Sequence, residues 1–270
     1  MATVGDLLRE KRGELGIFEA RLLLALALRC RTEHLVAHPE EEVPPEAEDV
    51  FRESVARRLK GEPYPYISGV QEFFGRPFRV TPDVLIPRPD TELLVETAIG
   101  LLKGKAAPRV LDLGTGSGCI AVTVALECPG AEVWACDVSE GALRVARENA
   151  GDSGVRFFQS SWFESVPAGA GPFDLILSNP PYVAASSPYL RDLGYEPRSA
   201  LVSGVDGLDD LRVIAAGAPL RLRSGGWIAV EHGFDQGEAC RTLFSSAGFS
   251  SVRTLRDLGG NDRVTLGQLS

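Results

Sequence analysis

The chain has 270 residues, of which 44% are hydrophobic and 24% are charged, with a net charge of −9. This composition excludes a mainly disordered chain, and the length predicts one or two domains at about 100–200 residues each. The net charge argues against a protein that binds nucleic acid mainly by neutralising phosphates. The five cysteines form no Cys-x-x-Cys pair, so we expect neither disulfides nor a zinc knuckle, and a reducing, cytoplasmic environment.

The first sixty residues have a helical pattern. Apolar residues recur at helical spacing from residue 7 to residue 26, including Phe18, and a further helix is predicted for residues 48–60. That helix would bury one face, formed by Val50, Phe51, Val55 and Leu59. The longest apolar run, residues 22–28, is far shorter than the ~20 residues that span a membrane. We therefore interpret residues 1–62 as a small helical packing or recognition domain, with no membrane association.

The composition changes at residues 61–81, which are rich in aromatic residues, glycine and proline and predict a β-hairpin connector over residues 63–82. From residue 83 onwards, short β-prone runs alternate with helical segments. The runs are residues 109–113, 133–136, 155–159, 175–177 and 227–230, and the helical segments include residues 120–127, 141–149 and 208–220. This alternation predicts a mostly parallel sheet with helices on both faces. A short turn joins residues 251–255 to 263–266, so we expect the sheet to end in an antiparallel strand.

A glycine-rich loop follows the first predicted strand of this part, where residues 110–118 read V-L-D-L-G-T-G-S-G. Glycines between a strand and a helix allow a sharp turn and a close approach to a ligand, and the helix N-terminus presents free N–H groups. The spacing differs from the dinucleotide-binding G-x-G-x-x-G pattern. Asp112, beside the loop, suits a cationic amino group better than a pyrophosphate.

An acidic residue, Asp137, ends the next predicted strand, 19 positions after Gly118. In nucleoside-binding α/β folds, a carboxylate at this place binds the ribose hydroxyls. The residues D-V-S-E would also suit a helix N-cap. The glycine loop favours the ribose interpretation.

A buried-looking strand at residues 173–178 ends in Asn179-Pro180-Pro181-Tyr182. The prolines constrain the backbone and leave carbonyl groups free to accept hydrogen bonds. Asn179 offers an amide, and Tyr182 offers an aromatic face. The set complements a planar group that carries an NH₂, which a simple proline-rich turn would not require.

These three motifs together resemble the class I S-adenosylmethionine-dependent methyltransferases that act on amide or aryl-amine nitrogen. Within that class, the chain is most similar to the PrmC/HemK family, which methylates the glutamine of the Gly-Gly-Gln motif in peptide chain release factors. Further matching segments are G-E-P (61–63), E-F-F-G (72–75), L-I-P-R-P-D-T-E (85–92), S-W-F (161–163), E-P-R-S-A-L (196–201), D-G-L (206–208) and D-L-G-G-N-D-R (257–263). Two small departures are Asp90, where glutamate is common, and Ser203, where the family often has a glycine.

The resemblance implies a Rossmann-like fold over residues 83–270, with a seven-stranded, mostly parallel sheet that contains one antiparallel strand. It implies substrate recognition by residues 1–62, release factors as partners, no direct nucleic-acid partner and no metal. The expected S-adenosylmethionine-binding residues are Asp112, Gly114, Thr115, Gly116, Ser117, Gly118, Asp137, Trp162 and Asn179. The expected substrate-binding residues are Asn179, Pro180, Pro181 and Tyr182, of which Asn179, Pro180 and Tyr182 are the expected catalytic residues.

The expected chemistry is orientation of a glutamine amide, with the Asn179 side-chain oxygen and the Pro180 carbonyl each accepting one N–H. Trp162 would lie over the adenine, although a core position is the alternative. Arg88 and Glu92 suit either the binding site or structural pairing, and Glu231 and His232 are interpreted as structural.

Three other functions fit parts of the pattern. The Asn-Pro-Pro-Tyr motif also resembles that of methyltransferases acting on the adenine amine of nucleic acid, which the charge of −9 disfavours. A glutamine methyltransferase for a ribosomal protein would use the same chemistry, but residues 88–92 resemble the release-factor branch better. A non-catalytic nucleoside-binding module would not require the motif at residues 179–182.

Overall fold

The computed structural model describes residues 1–191 and 193–270, which form two compact units, Met1–Gly69 and Val70–Ser270. The structure thus divides the chain after Gly69, whereas the sequence predicts a separate connector over residues 63–82. The described residues contain no helix that is long and apolar enough to cross a membrane.

The first unit is helical, as the sequence predicts. Its helices within the described residues are α1 (Val4–Leu15), α2 (Ile17–Leu28), α3 (Thr32–Ala37), α4 (Pro45–Leu59) and α5 (Tyr64–Ser68). Leu7, Leu23 and Phe51 are fully buried in a core between α1, α2 and α4. The N-terminus of α1 is capped by Thr3, whose hydroxyl accepts from Asp6 N while the Asp6 carboxylate accepts from Thr3 N.

Two details of the predicted helical faces are wrong. Phe18 is 72% exposed on α2, and Val50 and Leu59 are each 48% exposed on α4. Phe51 and Val55, about one helical turn apart, are buried, whereas Val50 lies about 100° around the helix from Phe51 and Leu59 is the last residue of α4. The buried face of α4 is therefore narrower than the apolar pattern suggests.

The predicted hairpin lies in the second half of the expected connector. Strands β1 (Val70–Phe73) and β2 (Arg76–Arg79) are antiparallel and are joined by a two-residue turn. Both turn residues have positive φ, at 53° for Phe74 and 72° for Gly75, which matches the twist of a tight hairpin. Phe73 and Phe78 are buried in the core of the second unit. Hydrophobic burial therefore makes the hairpin part of that unit.

The second unit is an α/β fold with helices on both faces of one large sheet. Its helices within the described residues are α6 (Glu92–Leu102), α7 (Cys119–Glu127), α8 (Glu140–Ala150), α9 (Asp209–Gly217) and α10 (Gly237–Ser246). Its large sheet contains β3 (Arg109–Leu113), β4 (Glu132–Asp137), β5 (Arg156–Gln159), β6 (Phe173–Ser178), β7 (Leu222–Glu231), β8 (Phe249–Arg256) and β9 (Asp262–Leu269). Short 3-10 turns lie at Pro89–Thr91, Pro188–Arg191, Arg198–Ala200 and Ala218–Leu220. The sequence analysis finds the seven strands but misses α6 and α10.

The sheet order is β5-β4-β3-β6-β7-β9-β8, and of these seven strands β9 alone runs antiparallel to the other six. This confirms the predicted seven-stranded, mostly parallel sheet with one antiparallel strand. The expected antiparallel pair at the end of the sheet is confirmed, because β8 and β9 are antiparallel, with β8 at the edge and β9 between β7 and β8. β9 pairs with β7 along Val264 to Gln268, and Val264 and Leu266 are completely buried in a hydrophobic layer on one face of the sheet.

Successive residues of β3 point to opposite faces of the sheet and into two hydrophobic layers. Val110 packs in the layer with Leu94, and Leu111 packs in the layer with Ile214. The chain runs from β3 outwards through β4 to β5 and then crosses back to β6 on the other side of β3, so the strand order reverses beside β3. In open α/β sheets, ligands bind at this point, outside the carboxyl ends of the strands.

Candidate active site

A cavity of about 400 Å³ lies at the carboxyl ends of β3, β4 and β6. Eight of the predicted site residues line it, namely Gly114, Thr115, Gly116, Ser117, Asp137, Trp162, Asn179 and Pro181. Asp112, Gly118, Pro180 and Tyr182 do not belong to its lining. The fold thus brings the glycine loop, the acidic residue and the Asn-Pro-Pro-Tyr motif to one place.

The glycine loop has a backbone that only glycine adopts easily. Gly114, Gly116 and Gly118 have φ of 69°, 55° and 81°, all in the left-handed region. A Cβ on Gly114 would lie 3.3 Å from the Trp162 ring, and one on Gly118 would lie 3.1 Å from Ala146 Cβ on α8. Gly118 therefore allows α7 to begin against α8, and Gly114 allows the indole to approach the loop.

Asp112 lies beneath this loop and is fully buried. Its Oδ2 accepts a hydrogen bond of 2.6 Å from the Thr115 hydroxyl, while its Oδ1 has no hydrogen-bond partner among the described residues. Burial, together with the nearby charge of Asp137, raises the pKa of Asp112 to about 7. The carboxyl group supports the loop through Thr115, and its contact with a ligand amino group stays a prediction.

Asp137 joins the tips of β3 and β4. Its Oδ2 accepts from Gly116 N and its Oδ1 accepts from Ser139 N, both at 2.9 Å. Helix α8 is capped by Ser139, whose hydroxyl accepts from Ala142 N, so Asp137 is not the N-cap. Burial raises the pKa of Asp137. Each carboxylate oxygen keeps a further lone pair with which it can accept from a ligand hydroxyl.

Trp162 forms a wall of the cavity. Its backbone has a φ of 48°, and its indole N–H donates a hydrogen bond of 3.2 Å to Asp210 Oδ1. Asp210 also lines the cavity, although the sequence analysis does not single it out. Because the ring is half-buried and lies against Gly114, it presents an apolar surface to a ligand.

Asn179 follows β6 directly and is held by a residue far away in the sequence. Its Nδ2 donates a hydrogen bond of 3.1 Å to the Thr91 hydroxyl. Its Oδ1 is buried and has no hydrogen-bond partner in the described part of the chain. An unpaired buried acceptor is costly, so this oxygen is suited to receive an N–H from a bound ligand. Pro180 is buried beside it.

Tyr182 points its hydroxyl at the end of β7. The hydroxyl donates to Glu231 Oε1 at 3.2 Å, and the Tyr182 carbonyl accepts from Gln236 Nε2 at 3.0 Å. Glu231 is 1% exposed, and burial raises its pKa to about 7, against the opposing effects of Thr91, Arg263 and Tyr182. Burial and the charge of Glu231 likewise raise the pKa of the Tyr182 hydroxyl.

The residues whose roles the sequence left open have mainly structural contacts. Arg88 lines the cavity and forms an ion pair with the buried Glu196. Glu92 accepts a hydrogen bond from Phe74 N. The two ring nitrogens of His232 are hydrogen-bonded to Gly233 O and the Thr265 hydroxyl, each at 2.8 Å.

Sequence reasoning missed Thr91, Asp210 and Gln236 as site residues. Thr91 lies within the segment L-I-P-R-P-D-T-E, and Asp210 lies just after D-G-L, so both were close to recognised motifs. Gln236 lies outside any matched segment.

Comparisons with known proteins identify both domains of the chain and its relatives. Residues 3–69 match the PrmC N-terminal domain, and residues 89–191 match the methyltransferase small domain. The release factor glutamine methyltransferase of Bordetella pertussis is 52% identical over 93% of this chain and 94% of its own length. That of Neisseria gonorrhoeae is 48% identical over 93% and 92%.

A solved structure of the Thermus thermophilus 16S rRNA N2 G1207 methyltransferase, in complex with AdoMet and guanosine, has the same fold. The TM-score is 0.56 at 20% identity, over 74% of this chain and 50% of that one. The match to the methyltransferase small domain agrees with S-adenosylmethionine, the cofactor predicted from the sequence. With identity near one half over almost the full length, the chain belongs to the release factor glutamine methyltransferase family.

Proposed function

We propose that this protein transfers a methyl group from S-adenosylmethionine to the side-chain amide nitrogen, N5, of the glutamine in the Gly-Gly-Gln motif of peptide chain release factors. The observation that carries this proposal is that Asn179 Oδ1 has no hydrogen-bond partner among the described residues, while Asn179 lines the same cavity as the glycine loop and Asp137. The curated relatives are named for this activity.

The cofactor would be held by the glycine loop, Asp137 and Trp162. Asp137 has free lone pairs for ribose hydroxyls, and Trp162 provides a flat apolar surface for a base. When bound, S-adenosylmethionine would supply a methyl group on a positively charged sulfur; its carbon–sulfur bond breaks as the bond to the amide nitrogen forms, S-adenosylhomocysteine leaves as a neutral thioether, and the nitrogen loses one proton. The residues present fit this group, because the polar acceptor Asp137 and the aromatic wall formed by Trp162 line one cavity of about 400 Å³.

The acceptor amide is a weak nucleophile, because its lone pair is delocalised into the carbonyl group. Asn179 Oδ1 would accept one N–H of the glutamine and the Pro180 carbonyl would accept the other. Two such bonds fix the plane of the amide and expose its nitrogen towards the cofactor side of the cavity. Holding the reacting atoms about 3–3.5 Å apart in a productive geometry can supply several kcal/mol of barrier reduction.

Recognition of the folded partner is assigned to the first unit. It is compact by itself, and none of the residues that line the cavity belongs to it. A glutamine between two glycines offers little surface, so selectivity for one glutamine requires contacts elsewhere on the partner. We place the reaction in the cytosol, since Cys30, Cys119, Cys128, Cys136 and Cys240 are free thiols, as a reducing compartment favours.

The test measures transfer of a labelled methyl group to separate acceptors. These are an intact release factor, the same factor with its Gly-Gly-Gln glutamine replaced by glutamate, a ribosomal protein and DNA. Label is expected on the intact release factor alone. Label on the glutamate variant, or preferential label on the ribosomal protein or the DNA, would overturn the proposal.

A further inference from the structure

The Trp162 side chain at the cavity wall is held by a residue from a distant part of the sequence. Its indole N–H donates a hydrogen bond of 3.2 Å to Oδ1 of Asp210, which lies 48 positions later and is the second residue of α9. Both residues line the cavity. The hydrogen bond therefore joins the loop after β5 to the start of α9 at the edge of the expected cofactor site.

The main chain of Asp210 is itself fixed. Its N–H donates a hydrogen bond of 2.8 Å to the hydroxyl of Ser203, a residue that is 1% exposed. Leu211 and Ile214, on the same helix, are buried in a hydrophobic layer on one face of the sheet. A short side chain on a packed helix holds its polar atoms more precisely than one on a loop. The Asp210 carboxylate is thus a fixed acceptor.

Trp162, in contrast, lies in a loop, and its main chain alone does not determine where the ring lies. Its φ of 48° is unusual for a bulky residue, and its carbonyl accepts from the Ser160 hydroxyl at 3.0 Å and from the Cys136 thiol at 3.5 Å. Rotation about the side-chain bonds would still move the indole away from Gly114. An indole has one polar hydrogen, so the hydrogen bond to Asp210 uses its whole donor capacity.

We propose that Asp210 is a positioning residue of the cofactor site, which fixes the Trp162 indole as the wall for the base of S-adenosylmethionine. The inference rests on the proposed function, in which Trp162 provides an apolar surface for that base. Without this acceptor, the indole N–H would have to turn towards water, and a turned ring would no longer present the same flat face. Asp210 thus acts on the cofactor through Trp162, and its loss should weaken cofactor binding more than it slows methyl transfer.

The first test is a double-mutant cycle on the binding of S-adenosylhomocysteine, measured by calorimetry. Asp210→Ala, and Trp162→Phe, which keeps an aromatic ring but has no N–H, should each raise the Kd about tenfold. The double variant should bind no more weakly than Trp162→Phe alone, because no indole N–H is left for Asp210 to hold. A wild-type Kd in Asp210→Ala would overturn the proposal. So would an equal loss in both backgrounds, since Asp210 would then act on the ligand directly.

Two further variants separate the hydrogen bond from the charge. Asp210→Asn keeps a side-chain oxygen that can accept from the indole, so it should recover most of the affinity lost in Asp210→Ala. Asp209→Ala is the matched control, because Asp209 carries the same charge in the same helical turn but pairs with the exposed Arg212. It should bind with the wild-type Kd. An equal loss of affinity in Asp209→Ala and Asp210→Ala would contradict the proposal, since the charge at the start of α9 would then explain both.

The second test separates binding from chemistry. In Asp210→Ala, the KM for S-adenosylmethionine should rise about tenfold, while kcat at saturating cofactor and release factor stays near the wild-type value. A fall in kcat with an unchanged KM would overturn the proposal, because Asp210 would then serve the transfer step. Thermal unfolding shows which variants are folded, and the third test needs only the conservative Asp210→Asn.

The third test uses no ligand. The chain has three tryptophans, so NMR of the ¹⁵N-labelled, full-length protein should give three indole N–H resonances, and the one lost in Trp162→Phe belongs to Trp162. This resonance should shift in Asp210→Asn and stay unchanged in Asp209→Ala. If it does not shift in Asp210→Asn, the positioning role is wrong even where the enzyme is active. If it shifts and the binding cycle is coupled but no release factor is methylated, the proposed function fails and the positioning role stands.

Discussion

Replacement of Asp137 by alanine tests the cofactor site most directly, because one carboxylate serves both the protein and the expected ligand. The substitution removes the acceptors of two backbone N–H groups, Gly116 N and Ser139 N, each at 2.9 Å. It also removes the lone pairs assigned to the ribose hydroxyls. Loss of the backbone hydrogen bonds should make the glycine loop less ordered, and loss of the lone pairs should weaken ligand binding.

The magnitude follows from these contacts. A hydrogen bond to a charged group contributes about 1.5–3 kcal/mol, and about 1.4 kcal/mol corresponds to a tenfold change in Kd. Loss of one such bond to the ligand predicts a rise in the Kd for S-adenosylmethionine of about 10- to 100-fold. Two unpaired backbone N–H groups at the partly open cavity predict a lower Tm as well, since water replaces them only in part.

The assay is calorimetric titration of S-adenosylmethionine into wild-type protein, Asp137→Ala and Asp152→Ala. Asp152 is an exposed aspartate in the turn after α8, and its substitution changes the net charge by the same amount. We expect the Kd to rise only in Asp137→Ala. If a folded Asp137→Ala protein binds with the wild-type Kd, Asp137 serves the loop alone and the ribose assignment is refuted.

Three further predictions concern the motif, the loop and the buried acid. Asn179→Ala should abolish methyl transfer while calorimetry shows nearly the wild-type cofactor Kd, and near-normal turnover would refute the orienting role. Gly118→Ala should lower the free energy of unfolding by about 2–4 kcal/mol, because it places a Cβ 3.1 Å from Ala146 Cβ at a φ of 81°. Denaturant unfolding measures this free energy, and unchanged stability would contradict the close packing of α7 on α8. The raised pKa of Asp112, about 7 in the folded state against 3.8, means that its contribution to stability is full below pH 4 and is lost as pH rises through 7. Asp112→Asn should therefore gain stability relative to the wild type between pH 5 and pH 8, and a constant difference in the free energy of unfolding would refute the shift.

Local sequence determined the elements that carry the site. The apolar run of β3, the three glycines after it and the Asn-Pro-Pro-Tyr motif after β6 can be identified without a structure. Each of these features depends on neighbouring residues. An apolar run predicts a buried strand, glycine allows a positive φ, and two prolines end β6. The parallel direction of most strands follows from their alternation with helices. The resemblance to a known family adds the expected chemistry.

Tertiary structure alone decided which side chains meet. Thr91 and Asn179 are hydrogen-bonded although they are 88 positions apart. Thr91 lies in a 3-10 turn and Asn179 follows β6, and no sequence periodicity relates these two elements. The position of β9 between β7 and β8 likewise does not follow from the short turn, because that turn requires only that β8 and β9 pair antiparallel. The same is true of Glu231, whose isolation from water follows from the layers packed around it. Local rules describe φ, capping and alternation over a few residues, whereas burial and hydrogen-bond partners across the sheet depend on the whole packed core.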